Sequence, residues 1–515
     1  MRRSAMTMGA ALAVLAVSAP LQAQSASGRD AVMAEMWRLG MQESQVMRWA
    51  QVLTDSIGPR LTGTPQFDAG VEWAVSLLRS WGVDAKAEQY GTWNGWERGP
   101  THVDLVSPRV RTLEGRMLAW SPGTGGRPVE APVVAMPAFA SGAEFDAWLP
   151  SVRDRYVAAS FPQPTCRPVS HFREHGQEGA VERLQASRRQ AEERFGANRP
   201  SANELRLRLE QAGALGILES NWSSELGVNK IFGTNTSRIP TVDLSCEDYG
   251  LVYRLAANDQ GAVVRLAAES RDLGEVPAWN VIGMIPGSEL PDEYVILSAH
   301  FDSWDGGSGA TDNATGSATM LEAMRILQQT YPQPKRTILI GLWGGEEHGL
   351  HGSRRFVAMH PDIVRRTHAL FNQDNGTGRV VNISMQGFSE VGDHFRGWLD
   401  EIPGQITQHI TLRDPGMPST GGTDHASFVC ANVPAFGLSS NTWEYFTATW
   451  HTNRDTFDKI VEEEIRNNAT LTAMLAFLAA EHPETLPRER SPAASQNWPE
   501  CQPGATQSPR AADSR

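Results

Sequence analysis

The sequence predicts an α/β fold: a mixed, mostly parallel sheet flanked by helices, interrupted by a β-rich insertion. Two apolar runs, Tyr294–Ala299 and Thr337–Trp343, have the nearly continuous hydrophobicity of buried strands. Strands that are covered on both faces are typical of parallel sheets. Between these runs, apolar residues recur at helical spacing over Ala314–Leu327, which predicts a covering helix.

The segment before these strands has a different pattern of predicted secondary structure. Short β-rich runs such as Ala131–Met136 and Ile239–Leu244 lie on either side of a charged, arginine-rich stretch, residues 173–211, with a helical pattern. We therefore expect a discontinuous core domain of residues 30–102 and 272–482, and a β-rich insertion of residues 103–271. Residues 483–515 are rich in Pro, Ser, Ala, Arg and Gln, which predicts a disordered tail.

The first residues have the pattern of a secretory signal peptide. Two arginines precede an apolar run, Met8–Val17, and Leu21-Gln-Ala23 then resembles a cleavage site. We expect residues 1–23 to be removed after Ala23, and the apolar run is too short for a membrane anchor. The protein is therefore expected to be secreted or periplasmic.

Charge and cysteine content fit an exported protein that does not bind nucleic acid or anionic membranes. The formal net charge is −13 at pH 7, which argues against nucleic acid and anionic membranes as partners. The four cysteines allow three pairings. Pairing within each predicted domain joins Cys166 to Cys246 and Cys430 to Cys501, and the alternative is free buried thiols.

Histidine and acidic residues follow the predicted strands. His300 ends the first apolar run, and Asp374 follows a third short strand. Asp312 lies at the predicted start of the helix, where it could cap the helix or bridge two cations. The adjacent Glu346 and Glu347 follow the second apolar run within a glycine-rich turn.

These residues, with His451 in a later loop, predict a two-metal hydrolytic site. Such a site needs carboxylate and imidazole ligands and a further carboxylate that takes a proton from the attacking water. We assign Glu346 as this base and Glu347 as a ligand. One metal would take His300 and Asp374, the other Glu347 and His451, with Asp312 shared. Mixed histidine and carboxylate ligands favour zinc, so two Zn²⁺ ions per chain are expected.

Three further residues are candidates for supporting roles. Asp302 and Asp455 could accept the second ring N–H of His300 and His451, since metal-bound imidazoles commonly donate to a carboxylate. Tyr445 could stabilise a tetrahedral oxyanion through its phenol, although an ordinary half-buried tyrosine is an equal alternative.

These elements resemble one known family of enzymes, the co-catalytic zinc exopeptidases of the aminopeptidase S and glutamate carboxypeptidase type, and within it the carboxypeptidase Q group. The likeness covers about residues 30–482, including Ile57–Gly63. It is carried by these segments: Ala-His300-Phe-Asp302, Ala-Thr-Asp312-Asn, Gly-Glu346-Glu347-His-Gly-Leu, Gln-Asp374-Asn-Gly and Trp-His451-Thr-Asn-Arg-Asp455.

The resemblance implies the same two zinc sites and Glu346 as general base. It also implies a cis peptide bond between Asp312 and Asn313, a protease-associated-like insertion beside the active site, a small peptide as substrate and a possible homodimer. Aminopeptidase, carboxypeptidase and dipeptidase specificities all stay open.

Two other functions remain consistent with the sequence. A glutaminyl cyclase, an aminoacyltransferase, has closely similar motifs, and a non-catalytic peptide-binding protein could use the same fold. Loss of ammonia from a Gln-initiated peptide would indicate the cyclase. Full biological activity of a Glu346→Gln variant would indicate the binding protein.

Overall fold

A computed structural model of the chain describes residues 21–374 and 377–507, with side chains from residue 28 onward. The predicted signal peptide, residues 1–23, lies almost entirely outside the described residues. In the described part of the chain, no helix is both long enough and apolar enough to span a bilayer.

The described residues form fourteen strands in one mixed sheet. In chain order the strands are β1 (Asp84–Ser107), β2 (Arg111–Leu113), β3 (Gly115–Met117), β4 (Val129–Ala135), β5 (Tyr156–Ala158), β6 (Gly216–Glu219), β7 (Thr241–Leu244), β8 (Val263–Ile285), β9 (Leu290–His300), β10 (Arg336–Trp343), β11 (Thr367–Asn372), β12 (Val380–Ser384), β13 (Thr411–Arg413) and β14 (Ala435–Ser440).

Sixteen α-helices are assigned within the same residues. They are α1 (Leu21–Trp37), α2 (Val46–Gln51), α3 (Pro65–Ser80), α4 (Gly142–Trp148), α5 (Val169–His175), α6 (Ala180–Gly196), α7 (Ala202–Gln211), α8 (Cys246–Ala257), α9 (Thr315–Thr330), α10 (His351–Met359), α11 (Pro361–Arg365), α12 (Val391–Glu401), α13 (Gly404–Thr407), α14 (His425–Val429), α15 (Glu462–Glu481) and α16 (Pro492–Gln496).

The predicted α/β fold is confirmed, and its central strands are parallel. Strand β9 lies between β10 and β11, and β11 lies beside β14, with all of these pairs parallel. Every residue of β10 and β11 is buried. On one face of the sheet α9 and α15 pack together in the largest apolar core, to which Leu321 and Leu475 belong. Parallel strands therefore end at one edge of a rigid, covered sheet.

The sheet continues from this core into the predicted insertion. Strands β1 and β8 form a long antiparallel ribbon, and β8 also pairs with β4, beyond which β5, β6, β7 and β3 follow. The expected domain boundaries, at 102/103 and 271/272, both fall inside this ribbon. The division into domains and the protease-associated-like character of residues 103–271 stay predictions.

The C-terminal segment differs from the sequence prediction. Residues 483–507 were expected to be disordered, but Leu486 and Ala494 are buried. The backbone N–H of Thr92 donates to the carbonyl of Thr506 at 2.9 Å, and Trp498 packs edge-on against Phe388 at 5.2 Å between ring centroids. A segment of this composition cannot form a hydrophobic core by itself, but it can pack against the core that the preceding residues form.

The expected cysteine pairing is confirmed. Cys166 is bonded to Cys246, and Cys430 is bonded to Cys501, which leaves no free cysteine among the four. The second bond ties the C-terminal segment to the residue that follows α14. Disulfides of this kind persist in oxidising compartments, in agreement with an extracellular protein.

Candidate metal centre

Five predicted ligands come together at the carboxyl ends of the central strands. His300 is the last residue of β9, Glu347 lies in the turn after β10, and Asp374 follows β11. Asp312 lies in the turn before α9, and His451 lies in the loop before α15. Because parallel strands end at the same edge, residues far apart in sequence meet there.

The first group consists of His300, Asp312 and Asp374. The Nε2 atom of His300 lies 3.1 Å from Oδ1 of Asp312 and 3.2 Å from Oδ1 of Asp374. Burial opposes a charged His300, but Asp374 and Glu346 outweigh it and raise its pKa well above the ordinary value. The acids around His300 therefore favour a positive charge at the position of its imidazole ring.

The second group consists of Asp312, Glu347 and His451. The Nε2 atom of His451 lies 3.0 Å from Oε2 of Glu347 and 3.4 Å from Oδ2 of Asp312. The other oxygen of Glu347 accepts the backbone N–H of Trp304 at 3.2 Å, which orients the carboxylate. His451 has a φ of +61°, in the left-handed region that is unusual for a non-glycine residue and often marks a functional site.

These two groups suit a pair of divalent cations. In each group the candidate ligand atoms lie within 4.8 Å of one another, and Asp312 contributes to both. Its Oδ2 atom is buried and accepts no hydrogen bond from any residue that the structure describes. A buried carboxylate oxygen without a donor is costly, and a cation would satisfy it. The imidazole and carboxylate donors are those that zinc prefers. The peptide bond between Asp312 and Asn313 is cis, as the resemblance implies.

Glu346 lies beside both groups and is not a member of either. Its backbone N–H donates to Oδ1 of Asp302 at 3.2 Å, which fixes the start of the turn. Burial raises the pKa of Glu346 well above its ordinary value, and the acids Asp374, Asp424 and Glu347 add to this, while His300 opposes it. A raised pKa suits a carboxylate that must take up a proton, and bound cations would moderate it.

Asp302 supports His300 through a different atom from the one we expected. The Nδ1 atom of His300 lies 3.0 Å from the backbone carbonyl of Asp302, whereas the Asp302 carboxylate is 3.7 Å away. That carboxylate accepts hydrogen bonds from the Thr62 hydroxyl at 3.0 Å and from the backbone N–H of Glu346. Because the chain turns sharply after β9, the carbonyl faces the ring and the carboxylate links the neighbouring turns.

The expected partnership between Asp455 and His451 is wrong. The buried Asp455 carboxylate accepts the backbone N–H groups of Thr311 and Asp312 at 2.7 and 3.1 Å. The Nδ1 atom of His451 has no hydrogen-bond partner among the residues that the structure describes. The four-residue spacing between His451 and Asp455 therefore does not bring their side chains together, and the acid instead holds the turn that carries Asp312.

Tyr445 lies next to the site, as an oxyanion donor must. It is buried, and burial raises the pKa of its phenol well above the ordinary value, with further contributions from the charges of Asp312, Asp374 and Glu347. The phenol therefore keeps its proton and remains a hydrogen-bond donor at neutral pH.

The N-terminal motif Ile57–Gly63 supports the site through hydrogen bonds to its turns. The Thr62 hydroxyl accepts the backbone N–H of Gly345 at 3.0 Å, in addition to donating to Asp302. The guanidinium of Arg60 donates to five backbone carbonyls, those of Leu53, Gly58, Phe301, Ser308 and Gly309. The sequence singled out this motif by resemblance, but it did not predict these contacts.

Aromatic residues that the sequence did not single out enclose one side of the metal centre. The Trp304 ring lies 5.8 Å from His451 and 5.0 Å from His348, measured between ring centroids. Phe232, from the predicted insertion, lies 5.1 Å from His451 and 5.6 Å from Trp304. Burial lowers the pKa of His348 to about 4, so its ring is neutral and belongs to this apolar wall.

Lys230, also from the insertion, was not predicted either. Its ammonium lies 4.3 Å from the centroid of the Trp450 ring, and Trp450 in turn contacts His451 at 3.9 Å between ring centroids. Burial lowers the pKa of Lys230 to about 8, against the opposing influence of Asp243 and Asp312. No pattern in the local sequence distinguishes this lysine from a solvated one.

Known proteins resemble this chain in sequence and in architecture. Residues 280–476, which include all six predicted metal ligands and base, match Peptidase family M28. Carboxypeptidase Q of Rattus norvegicus is 25% identical over 442 residues, which cover 85% of this chain and 85% of that protein. Carboxypeptidase Q of Homo sapiens is 24% identical with the same coverage.

Two solved structures share the fold. A peptidase M28 precursor from Shewanella amazonensis SB2B superposes with a TM-score of 0.65 at 23% identity, covering 90% of this chain and 100% of that one. BSAP, a zinc aminopeptidase from Bacillus subtilis, gives a TM-score of 0.53 at 18% identity, covering 87% and 98%. With the M28 match, these likenesses support a metallopeptidase that hydrolyses peptides, and the family implies zinc.

Proposed function

We propose that this protein is an exported two-zinc exopeptidase that hydrolyses dipeptides or short peptides, as a carboxypeptidase Q-like metallodipeptidase or aminopeptidase. The observation that carries the proposal is the shared position of Asp312. One of its oxygens is 3.1 Å from His300 and the other is 3.4 Å from His451, so a single carboxylate joins two candidate cation sites.

The proposed ligands are His300, Asp312 and Asp374 for one zinc ion and Asp312, Glu347 and His451 for the other. Bound zinc ions would supply Lewis acidity, which activates water and polarises the scissile carbonyl. Each ion would have three protein ligands, an arrangement typical of catalytic sites that keep a position open.

The proton transfers are assigned to Glu346. As a carboxylate it accepts the proton of the attacking water, and it then donates that proton to the leaving amine. Its pKa, raised by burial, favours uptake of the proton in the first step. The protonated phenol of Tyr445 is the proposed donor to the oxyanion that forms on the former carbonyl.

The insertion is proposed to restrict access to this site. Phe232 packs against His451, and the backbone N–H of Ile231 donates to the carbonyl of His451 at 2.8 Å. Contacts of this kind allow the segment to shape the space in which a peptide binds. A small opening would favour short substrates over folded proteins.

Export is proposed from the signal-peptide pattern of residues 1–23 and is supported by the two disulfides. Mass spectrometry of the mature protein, made in its natural host, should find an N-terminus at Gln24. An intact N-terminus in the extracellular or periplasmic fraction would contradict the proposed cleavage.

The proposed activity is tested by a panel of free and end-blocked dipeptides and tripeptides. We expect hydrolysis that chelation removes and zinc restores, and blocking each end shows which terminus is required. Loss of ammonia from a Gln-initiated peptide, without hydrolysis of the panel by zinc-loaded protein, would replace the peptidase with a cyclase.

A further inference from the structure

The backbone of the predicted insertion is joined directly to the loop that carries His451. The N–H of Ile231 donates to the carbonyl of His451 at 2.8 Å, and the N–H of Asn453 donates to the carbonyl of Asn229 at 3.0 Å. Lys230, between these two contacts, forms an isolated antiparallel bridge with Thr452. The position of Lys230 is therefore fixed relative to a predicted metal ligand.

Lys230 is largely buried, and its ammonium lacks an acidic partner among the described residues. The residue is 8% exposed, and its Nζ atom is held over the Trp450 ring at 4.3 Å from the centroid. None of the carboxylates in the described parts of the chain lies within ion-pair distance of Nζ. Arg454, on the loop that carries His451, does have such a partner, because its guanidinium lies 2.7 Å from the Glu114 carboxylate.

Two acids, Asp243 and Asp312, influence the Lys230 ammonium electrostatically, but both have other partners. The Asp243 carboxylate accepts backbone N–H groups from Asn221 at 2.6 Å and from Lys230 itself at 3.3 Å. Asp312 is the carboxylate that the proposed zinc ions share. A desolvated ammonium without a counter-ion is costly, and the cation–π contact with Trp450 offsets only part of that cost.

We propose that Lys230 binds a carboxylate of the peptide substrate, on the side of the scissile bond that leaves as the amine. The inference rests on the proposed exopeptidase function and adds a substrate class to it, short peptides that carry a free carboxylate next to the reacting bond. That carboxylate is supplied by the C-terminus of a dipeptide or by an acidic side chain.

The location of Lys230 matches the length of such a substrate. Trp450 contacts both the ammonium of Lys230 and the ring of His451, so the cation is separated from a predicted ligand by one aromatic ring. One extended residue spans about 3.5 Å. We therefore expect a carboxylate one residue beyond the scissile carbonyl to reach this cation while the carbonyl lies beside the predicted metal ligands.

The test compares three substrates, Ala-Leu, Ala-Leu-amide and Ala-Glu-amide, with the zinc-loaded full chain. We expect kcat/KM for Ala-Leu to exceed that for Ala-Leu-amide by about 10–100-fold, the effect of one charge-assisted hydrogen bond. Lys230→Met should reduce this ratio to near one, and Lys230→Arg should retain most of it. A preference for Ala-Glu-amide over Ala-Leu-amide that Lys230→Met removes would identify a side-chain carboxylate as the ligand.

Arg454→Met is the matched control, because it removes an equal charge from the neighbouring loop that carries His451, where the charge is already paired with Glu114. It should leave the substrate ratio unchanged. A ratio that Lys230→Met does not alter, in protein that melts at the wild-type temperature, would overturn the inference. So would an equal loss of the ratio in Arg454→Met.

Binding separates this inference from the proposed activity. Calorimetry with Glu346→Gln should show Ala-Leu binding about 10-fold or more tightly than its amide, and the double variant with Lys230→Met should lose that difference. Tight carboxylate-dependent binding without turnover by the wild type would retain the Lys230 site and reject the exopeptidase. Turnover of Ala-Leu, Ala-Leu-amide and Ala-Glu-amide at equal rates would reject the Lys230 site and retain the exopeptidase.

Discussion

The Asp455 carboxylate accepts a hydrogen bond from the backbone N–H of Asp312 at 3.1 Å. Its other oxygen accepts the N–H of Thr311 at 2.7 Å, so one buried acid holds both peptide groups at the turn before α9. The residue that joins the two candidate zinc sites is therefore positioned through its main chain, by an acid from the loop that carries His451.

Asp455→Asn should weaken zinc binding without removing a ligand. The amide retains one acceptor oxygen and places an NH₂ group against the second backbone N–H, so the turn must shift. Loss of an outer partner of a metal ligand typically lowers metal affinity by about 10–100-fold. Competition with a fluorescent chelator measures this change. Unchanged affinity would show that Asp312 holds its position without Asp455.

Glu346→Gln should abolish catalysis while zinc remains bound. An amide cannot accept and return a proton, and loss of a general base typically lowers kcat by about 10²–10⁴-fold. Steady-state kinetics measures the rate, and elemental analysis should still find two zinc ions per chain. Glu347→Gln is the comparison, because it should lose activity together with bound zinc. Normal turnover by Glu346→Gln would remove this residue from the mechanism.

Removal of metal should destabilise the protein. Without cations, the three acids and two imidazoles of the candidate metal groups are left at the end of the sheet, and Oδ2 of Asp312 has no donor among the described residues. A metal that binds only the folded state adds about 2.7 kcal/mol to the free energy of unfolding at 100 times its dissociation constant. Thermal melting after chelation should show a lower Tm that zinc restores and magnesium does not. Equal Tm values with and without zinc would contradict the assigned site.

Loss of the Cys430–Cys501 disulfide should release the C-terminal segment. The bond spans 71 residues, and closing a loop of that length in the unfolded chain corresponds to about 4 kcal/mol. The double variant Cys430→Ala/Cys501→Ala should therefore unfold at lower denaturant concentration and expose residues 483–507 to proteolysis. Wild-type resistance to proteolysis in that variant would show that packing of Leu486 and Trp498 is sufficient.

Asp68 should make the folded state less stable as the pH rises. Burial, reinforced by Glu72, raises its pKa from 3.8 to about 6, and its Oδ1 atom has no hydrogen-bond partner in the described structure. Between these two pH values the folded state binds more protons than the unfolded state, so stability falls with increasing pH.

Asp68→Asn removes this dependence. We expect it to raise Tm at pH 7.5 and to leave Tm nearly unchanged at pH 4. Glu192→Gln, at an exposed position, serves as the charge-matched control and should change neither value. A gain at pH 4 as large as that at pH 7.5 would assign the effect to packing and not to charge.

Much of the candidate site could be predicted because its residues are tied to strand ends. His300, Glu347 and Asp374 directly follow apolar runs, and the ends of parallel strands meet whatever the intervening loops do. The supporting contacts could not be predicted in the same way. Spacing suggested that Asp455 would face His451, but the path of the loop directs it to the turn at Asp312.

The sequence by itself determined the α/β fold and indicated the six residues of the predicted two-zinc site. These follow from hydrophobic periodicity and from the chemistry of side chains at strand ends, which are local properties of the chain. Only the tertiary structure brought Phe232 and Lys230 to His451 and packed residues 483–507 against the core. Such contacts depend on which surfaces, distant in sequence, pack against each other in the folded chain. Local sequence patterns do not predict that packing.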